Sequence, residues 1–177
     1  MTNILLSTLP RDLPVPIRRA MLGVLFRATA AAFECPVPTL SRRSYAECLR
    51  TFALFTTEQA ARARLSGCDV RALKARLYRN AQRLGKVVRR WSGASTLDEV
   101  MALGQILYWA IGMDLQGNAR GEITVRRCYF AQFYTAPVCD IISGLDDGLF
   151  SGLSGGRRLA FTERLTEGGA SCRARLT

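Results

Sequence analysis

The residues of this chain best suited to chemistry lie in its last third, around position 140. Cys139 and Asp146 are seven residues apart, with Ser143 between them. On an α-helix this spacing places the three side chains on one stripe, two turns from end to end. A thiol near a helix start can serve as a nucleophile, because the free amides there favour thiolate, and a carboxyl group can transfer a proton. We take Cys139 as a candidate nucleophile and Asp146 and Asp147 as candidate acid–base groups.

Two further cysteines accompany this stripe, Cys128 before it and Cys172 near the end of the sequence. Arg127 and Cys128 are neighbours on a predicted strand, so they point to opposite faces and only one of them can face the helix. If Cys128, Cys139 and Cys172 all pointed inward, their thiols could approach one another beneath the helix. The sequence leaves three roles open for them: small core residues, a catalytic thiol at Cys128 or Cys139, or a thiolate metal site.

Histidine is absent from the chain. Its absence excludes Ser-His-Asp and Cys-His nucleophile activation, histidine-ligated zinc and haem with a proximal histidine. Acid–base work would therefore fall to carboxylate, thiol, tyrosine, lysine or arginine. The sequence contains no glycine-rich phosphate loop either, so we expect no nucleotide cofactor. We also expect no other cofactor.

Arginine carries almost all of the formal net charge of +11, because Lys74 and Lys86 are the only lysines. Arginine binds carboxylates and phosphates with two parallel hydrogen bonds. The region 70–91 is a predicted basic amphipathic helix, which could meet nucleic acid, an anionic membrane surface or an acidic partner. No row of aromatic residues interleaves its charges as a stacking platform would require, so we predict a solvated outer face and no nucleic-acid partner. Its predicted apolar stripe is Val70, Leu73, Leu77, Ala81, Leu84, Val88 and Trp91.

The surrounding elements predict an α+β fold, with a helical N-terminal half packed on a small antiparallel sheet. We expect a single domain over 1–177, with an arm over 1–16, a mostly helical part over 17–116 and a strand–helix–hairpin unit over 117–177. Hydroxyls at Ser41 or Ser44, Thr56 or Thr57, and Ser95 or Thr96 are candidate helix caps. The predicted helices are 17–33, 45–55, 58–65, 70–91, 95–113 and 137–151, and the predicted strands are 121–130, 158–166 and 171–176. The helix 137–151 should cover the sheet.

The cysteines form no CxxC pair, and the first residues lack the pattern of a secretory signal, which predicts a reduced, cytoplasmic protein. The longest apolar run, 101–113, is shorter than the roughly 20 residues that span a bilayer, so we expect a buried helix there and no transmembrane segment. The sequence leaves a homo-oligomer open.

The last third also resembles a known family. Arg127-Cys128, Cys139, Asp146, Phe150, the run from Leu159 to Leu165, Gly168 and Cys172 follow the order and approximate spacing of the bacterial L-2-amino-thiazoline-4-carboxylic acid hydrolase family. The resemblance covers about 121–177. This chain has a single cysteine at its end where many members have two adjacent ones.

The resemblance implies hydrolysis of a C–N bond in a small cyclic amidine that carries a carboxylate. Cys128 or Cys139 would be the nucleophile, Asp146 or Asp147 the acid–base group, and Arg127 or Arg164 would hold the carboxylate, with Ser143 as a further substrate contact. Two alternatives remain: a non-catalytic protein of the same fold that binds a small molecule or partner, and a metal-dependent enzyme. The cysteine layout is distantly similar to the iron-containing carotenoid isomerases of plants. We expect no metal site.

Overall fold

The computed structural model describes residues 13–41 and 43–177, so most of the predicted arm lies outside the described residues. Within them, five α-helices pack on a four-stranded antiparallel sheet, which confirms the predicted α+β fold. The helices are α1 (Val15–Phe33), α2 (Tyr45–Leu65), α3 (Val70–Ser92), α4 (Leu97–Trp109) and α5 (Ala136–Ser154). The strands are β1 (Met113–Gly117), β2 (Glu122–Cys128), β3 (Leu159–Glu163) and β4 (Cys172–Leu176), in the order β1-β2-β4-β3.

Several helix starts follow directly from the sequence. The Asp69 carboxylate accepts hydrogen bonds from the amides of Arg71 and Ala72, at 2.9 and 3.1 Å, and so caps α3. Thr96 caps α4 in a reciprocal capping box with Glu99, and Pro137 lies in the first turn of α5. Asp69 and Thr96 accept hydrogen bonds from amides that the helix itself leaves unpaired, and Pro137 has no amide hydrogen that would need a partner.

Two predicted boundaries are wrong. The predicted helices 45–55 and 58–65 form one helix, α2, because the Thr56 hydroxyl donates back to the carbonyls of Phe52 and Ala53 and caps nothing. Ser44 is the cap of this helix. Val15 and Pro16, assigned to the arm, begin α1, since proline is tolerated in a first helical turn.

Strand β1 was not predicted. The helix expected over 95–113 ends at Trp109. Gly112 then takes a φ of 77°, which reverses the direction of the chain before β1 begins at Met113. β1 pairs with β2, and its register shifts between Asp114 and Leu115. Asp114 therefore lies opposite Arg127 at the end of the sheet near α4.

Helix α5 is the central element, and it packs on both α3 and the sheet. On the sheet side Phe150 and Leu153 are fully buried among residues of α4, β1, β2 and β4, so this helix covers the sheet, as predicted. On the opposite side α3 runs parallel to α5, along a row of glycines at positions 144, 148 and 152. A Cβ atom at Gly148 would lie 2.2 Å from the Tyr78 carbonyl oxygen, so the two backbones are nearly in contact.

Helix α3 follows the predicted amphipathic pattern except at its end. Leu73, Leu77 and Ala81 are buried, as expected, but the Trp91 side chain is 94% exposed. The apolar stripe assigned Trp91 to the core, and this is wrong because α5 ends at Ser154, near the level of Arg89. The last turn of α3 extends beyond it. Within residues 13–41 and 43–177, none of the helices combines the length and apolar character that crossing a membrane requires.

Candidate functional site

Cys139, Ser143 and Asp146 form a stripe along α5, which we call the α5 stripe, and the Arg164 guanidinium lies beside it. Arg164 follows β3, its side chain is 12% exposed, and it lies over the Phe161 ring at 4.3 Å from the ring centre. Its Nη1 is 3.7 Å from Cys139 Sγ and its Nη2 is 3.3 Å from Ser143 Oγ. The helical spacing of Cys139 and Ser143 thus places both side chains on the face that Arg164 covers. Only Arg164, of the two predicted carboxylate-binding arginines, lies on this face.

Asp146 lies one turn beyond Ser143 on the same helix, where the Tyr108 hydroxyl donates a hydrogen bond to its Oδ1 at 2.6 Å. Burial removes water from this carboxyl and raises its pKa to about 6, although the hydrogen bond from Tyr108 and the charge of Arg164 act in the opposite direction. Burial, and then the neighbouring Asp146 charge, hold the Tyr108 pKa well above its usual range. Asp146 can consequently gain and release a proton near neutral pH, while Tyr108 remains protonated.

Cys128 and Cys172 lie in the same interior region. Burial raises the Cys128 pKa to about 12, and the charges of Asp146 and Cys172 act in the same direction. Cys172 is buried, its pKa is raised mainly by burial, and its sulfur accepts a hydrogen bond from the Leu165 amide at 3.4 Å. Electrostatic interactions also connect Cys172 with Cys139. The three thiols therefore interact within one region, and Cys139 is the one beside the guanidinium.

Arg127 lies away from this group. It is exposed and lines a surface depression of about 340 Å³ with Trp109, Asp114, Cys128 and Tyr129. A second depression, of about 430 Å³, lies where α3 and α5 end and is lined by Lys86, Arg89 and Arg90 among others. Cys128 is the one predicted site residue that interacts with Asp146 and also borders a depression. The structure does not bring Arg127 to the face that holds Cys139 and Asp146.

Asp147 also points away from the α5 stripe. Its carboxylate receives three hydrogen bonds from Arg158, at 3.2 Å to Oδ1 and at 3.0 and 2.6 Å to Oδ2, and one from the Leu159 amide, at 2.8 Å to Oδ1. These contacts join α5 to the first residue of β3. They give Asp147 a structural role that accounts for its position.

We expect Asp147→Ala to lower the free energy of unfolding by about 2 kcal/mol, since the change leaves the amide of the buried residue Leu159 without its side-chain acceptor. Urea denaturation measures this. Glu58→Ala is the matched control, because Glu58 forms an exposed ion pair within one helix and should contribute less than about 1 kcal/mol. Equal effects of the two changes would contradict the structural role.

The raised pKa of Asp146 predicts a pH dependence of stability. The folded protein favours the protonated form of the Asp146 carboxyl. The contribution of this carboxyl to the free energy of unfolding is therefore full below the ordinary pKa of 3.8 and is lost as pH rises through about 6. Relative to Asp146→Asn, which keeps an oxygen acceptor for Tyr108, the wild type should lose on the order of 2 kcal/mol between about pH 4 and pH 7. Urea denaturation of both proteins across this range is the measurement. Parallel curves would show that the Asp146 pKa is not raised.

Two tyrosines of this region were missed from the sequence. Tyr108 lies on the almost wholly apolar helix α4. The Tyr134 hydroxyl is hydrogen-bonded to the Thr56 hydroxyl at 2.6 Å, and Tyr134 interacts electrostatically with Cys128 and Cys139. Burial raises the Tyr134 pKa. A tyrosine in an apolar helix needs a partner for its hydroxyl, and this was the one available signal.

No set of three His, Cys, Asp or Glu side chains suited to holding a metal ion occurs among the described residues. The three thiols therefore do not form a recognisable ligand set with neighbouring carboxylates.

Comparisons with family models, curated proteins and solved structures found no match to this chain.

Proposed function

We propose that this chain is a hydrolase-like enzyme that opens a C–N bond of a small cyclic amidine bearing a carboxylate, such as an amino-thiazoline carboxylate. The observation that carries the proposal is the position of Arg164, which contacts Cys139 and Ser143 and interacts with the charge of Asp146. Arg164 is thus the cation shared by a candidate nucleophile and a candidate proton donor. The resemblance of the last third to the amino-thiazoline carboxylate hydrolases supports the same reaction.

In the proposed reaction, the Cys139 sulfur attacks the amidine carbon between the ring sulfur and ring nitrogen. The bond from that carbon to the ring nitrogen then breaks, and the nitrogen takes a proton from Asp146. Water next adds to the same carbon and gives one proton back to Asp146. The Cys139 thiolate then leaves, the remaining hydroxyl proton passes to the freed amine, and the S-carbamoyl product is released from the regenerated enzyme. The Arg164 guanidinium stabilises negative charge on sulfur before attack and on its departure.

Arg164 also supplies a candidate contact for the substrate carboxylate. Its present acidic neighbours are Asp140 and Glu167, at 3.6 and 3.8 Å, and both are about half exposed. Such distant, solvated ion pairs contribute little. A substrate carboxylate at hydrogen-bonding distance would form a shorter, two-pronged contact in their place.

The specific test of this contact is Arg164→Lys, which keeps the charge and removes the planar pair of donors. We expect KM for 2-amino-thiazoline-4-carboxylate to rise about tenfold, with a smaller change in kcat. Arg157→Lys is the matched control, because Arg157 is exposed and lies between α5 and β3. An unchanged KM in Arg164→Lys would remove this residue from substrate binding.

A non-catalytic binding protein of the same fold is the second candidate. The observation that favours it is the depression beside Arg127, which offers a cation and the rings of Trp109 and Tyr129 to a flat anion. Among the described residues on its wall, the thiol is that of Cys128, whose pKa of about 12 keeps it protonated. A ligand that raises the thermal midpoint without being turned over, and loses this effect in Arg127→Gln, would favour this candidate.

A further inference from the structure

The last two turns of α3 expose cations and apolar side chains side by side. α3 contains no Asp or Glu, and its Lys74 and Arg76 are paired with Asp140 and Glu34 of other elements. Beyond them lies a set of exposed residues that we term the α3 patch. It consists of Arg83, Lys86, Val87, Arg90 and Trp91. Val87 is 68% exposed and Trp91 94% exposed, so the apolar members lie open to solvent.

Helix α1 adds to this patch. Asn80 donates to the Ala28 carbonyl and Arg76 to the Ala32 carbonyl, both at 2.9 Å, so α1 lies antiparallel beside α3. Extending this register by helical turns brings Trp91 level with Ile17. Ile17 is 48% exposed and Val15 45% exposed. The start of α1 and the end of α3 thus expose apolar side chains at the same end of the molecule, next to the cations of α3.

We propose that the α3 patch, together with Val15 and Ile17, binds the surface of a lipid bilayer that contains anionic phospholipids. Arginine and lysine would contact the lipid phosphates, and the absence of carboxylates from α3 makes this face complementary to a negative surface. Trp91, Val87 and Ile17 would enter the boundary between headgroups and acyl chains, the depth that tryptophan favours. The protein would lie on the membrane without crossing it.

The apolar side chains of this surface favour an anionic bilayer over nucleic acid or a second copy of the chain. Nucleic acid would satisfy the cations, but Val15, Ile17 and Val87 would gain nothing from phosphates, and Trp91 stands at one end of the cations without forming a row of rings. A second copy of the chain would cover the apolar residues, but it would bring the cations of two α3 patches together in a molecule with a net charge of +11. An anionic bilayer satisfies both kinds of side chain.

Cosedimentation with vesicles tests the proposal. We expect binding to vesicles of phosphatidylcholine and phosphatidylserine, weak binding to phosphatidylcholine alone, and loss of binding at high salt. The triple variant Arg83→Gln, Lys86→Gln, Arg90→Gln should bind the mixed vesicles roughly 100-fold more weakly. The control triple Arg50→Gln, Arg64→Gln, Arg157→Gln has the same net charge and changes exposed residues elsewhere, so it should retain most of the binding. Equal losses in the two triples would overturn the proposal, because net charge alone would then explain attraction.

Fluorescence tests the apolar part. The Trp109→Phe variant keeps Trp91 as its only tryptophan, and we expect its emission to shift to shorter wavelength when mixed vesicles are added. In the same assay, Trp91→Ala should bind about tenfold more weakly. An unshifted Trp91 emission on vesicle-bound protein would overturn insertion. Binding of single-stranded RNA, or self-association that Trp91→Ala abolishes, in a protein that ignores the vesicles would overturn the proposal as a whole.

Discussion

Replacing Gly148 by alanine is expected to lower the free energy of unfolding by about 3 kcal/mol, a large part of the roughly 5–15 kcal/mol of a typical domain. The new Cβ would lie 2.2 Å from the Tyr78 carbonyl oxygen and 2.9 Å from the Tyr78 Cα. Both obstacles are backbone atoms of a helix, so a side-chain rotation cannot relieve them. α3 and α5 would have to move apart, and the side chains buried between them would lose their packing.

Gly23→Ala is the matched control for this prediction. Gly23 also lies inside a helix, but a Cβ there would meet only Arg27 Nη1, at an ordinary 3.7 Å. Alanine favours helix over glycine by up to about 1 kcal/mol, so Gly23→Ala should be neutral or stabilising. Urea denaturation of the two variants measures the contrast. If Gly148→Ala proved as stable as Gly23→Ala, the close approach of α3 and α5 would be wrong.

The second large effect is expected at Cys139. Cys139→Ser should lower the rate of amino-thiazoline ring opening by at least about a hundredfold, because a hydroxyl beside Arg164 is a far weaker nucleophile than a thiolate. Its thermal midpoint should hardly change, since Cys139 is partly exposed and packs in neither buried core cluster. Cys172→Ser should do the opposite and mainly destabilise, because Cys172 begins β4 and is buried in the core between the sheet and α5.

The reactivity of the thiols offers an independent check on this assignment. Cys139 should react with iodoacetamide faster than Cys172, since it is more exposed and has a guanidinium beside its sulfur. Mass spectrometry of the digested protein resolves the two sites. Faster modification of Cys172 would show that the burial and surroundings of the two thiols have been assigned the wrong way round.

Much of the fold could be predicted from local signals. Asp69 and Thr96 predict helix starts because their side-chain oxygens can accept hydrogen bonds from free amides. The β-branched segment before Cys128 becomes β2, one of the two inner strands of the sheet. The spacing of Cys139, Ser143 and Asp146 depends on helical geometry alone, so their common stripe followed once the helix was recognised. These are properties of short segments, which need no knowledge of their neighbours.

The missed features depend on contacts between distant segments. β1 contains only five residues, Met113–Gly117, and becomes a strand through pairing with β2. Trp91 fits the periodicity of α3, but its exposure depends on where α5 ends. The glycines at 144, 148 and 152 were visible in the sequence at a spacing of four, which permits close helix packing, and this pattern was overlooked.

The candidate site divides in the same way. Cys139, Ser143 and Asp146 were predictable as a set, whereas their partners Arg164 and Tyr108 lie 25 and 38 residues from Cys139 and Asp146, respectively. Nothing local distinguishes Arg164 from Arg127, which is exposed, or Asp146 from Asp147, which binds Arg158. Only the packing of β3 and α4 against α5 separates them.

The most direct test of the central claim is the rate at which purified wild type and Cys139→Ser convert 2-amino-thiazoline-4-carboxylate to the ring-opened product, measured by mass spectrometry near pH 6. The arrangement of Cys139, Asp146 and Arg164 predicts turnover by the wild type and its loss, by at least about a hundredfold, in a variant with an unchanged thermal midpoint. Full activity of Cys139→Ser would contradict Cys139 as the nucleophile. A wild type without activity on this compound or any other cyclic amidine would contradict the proposed reaction itself.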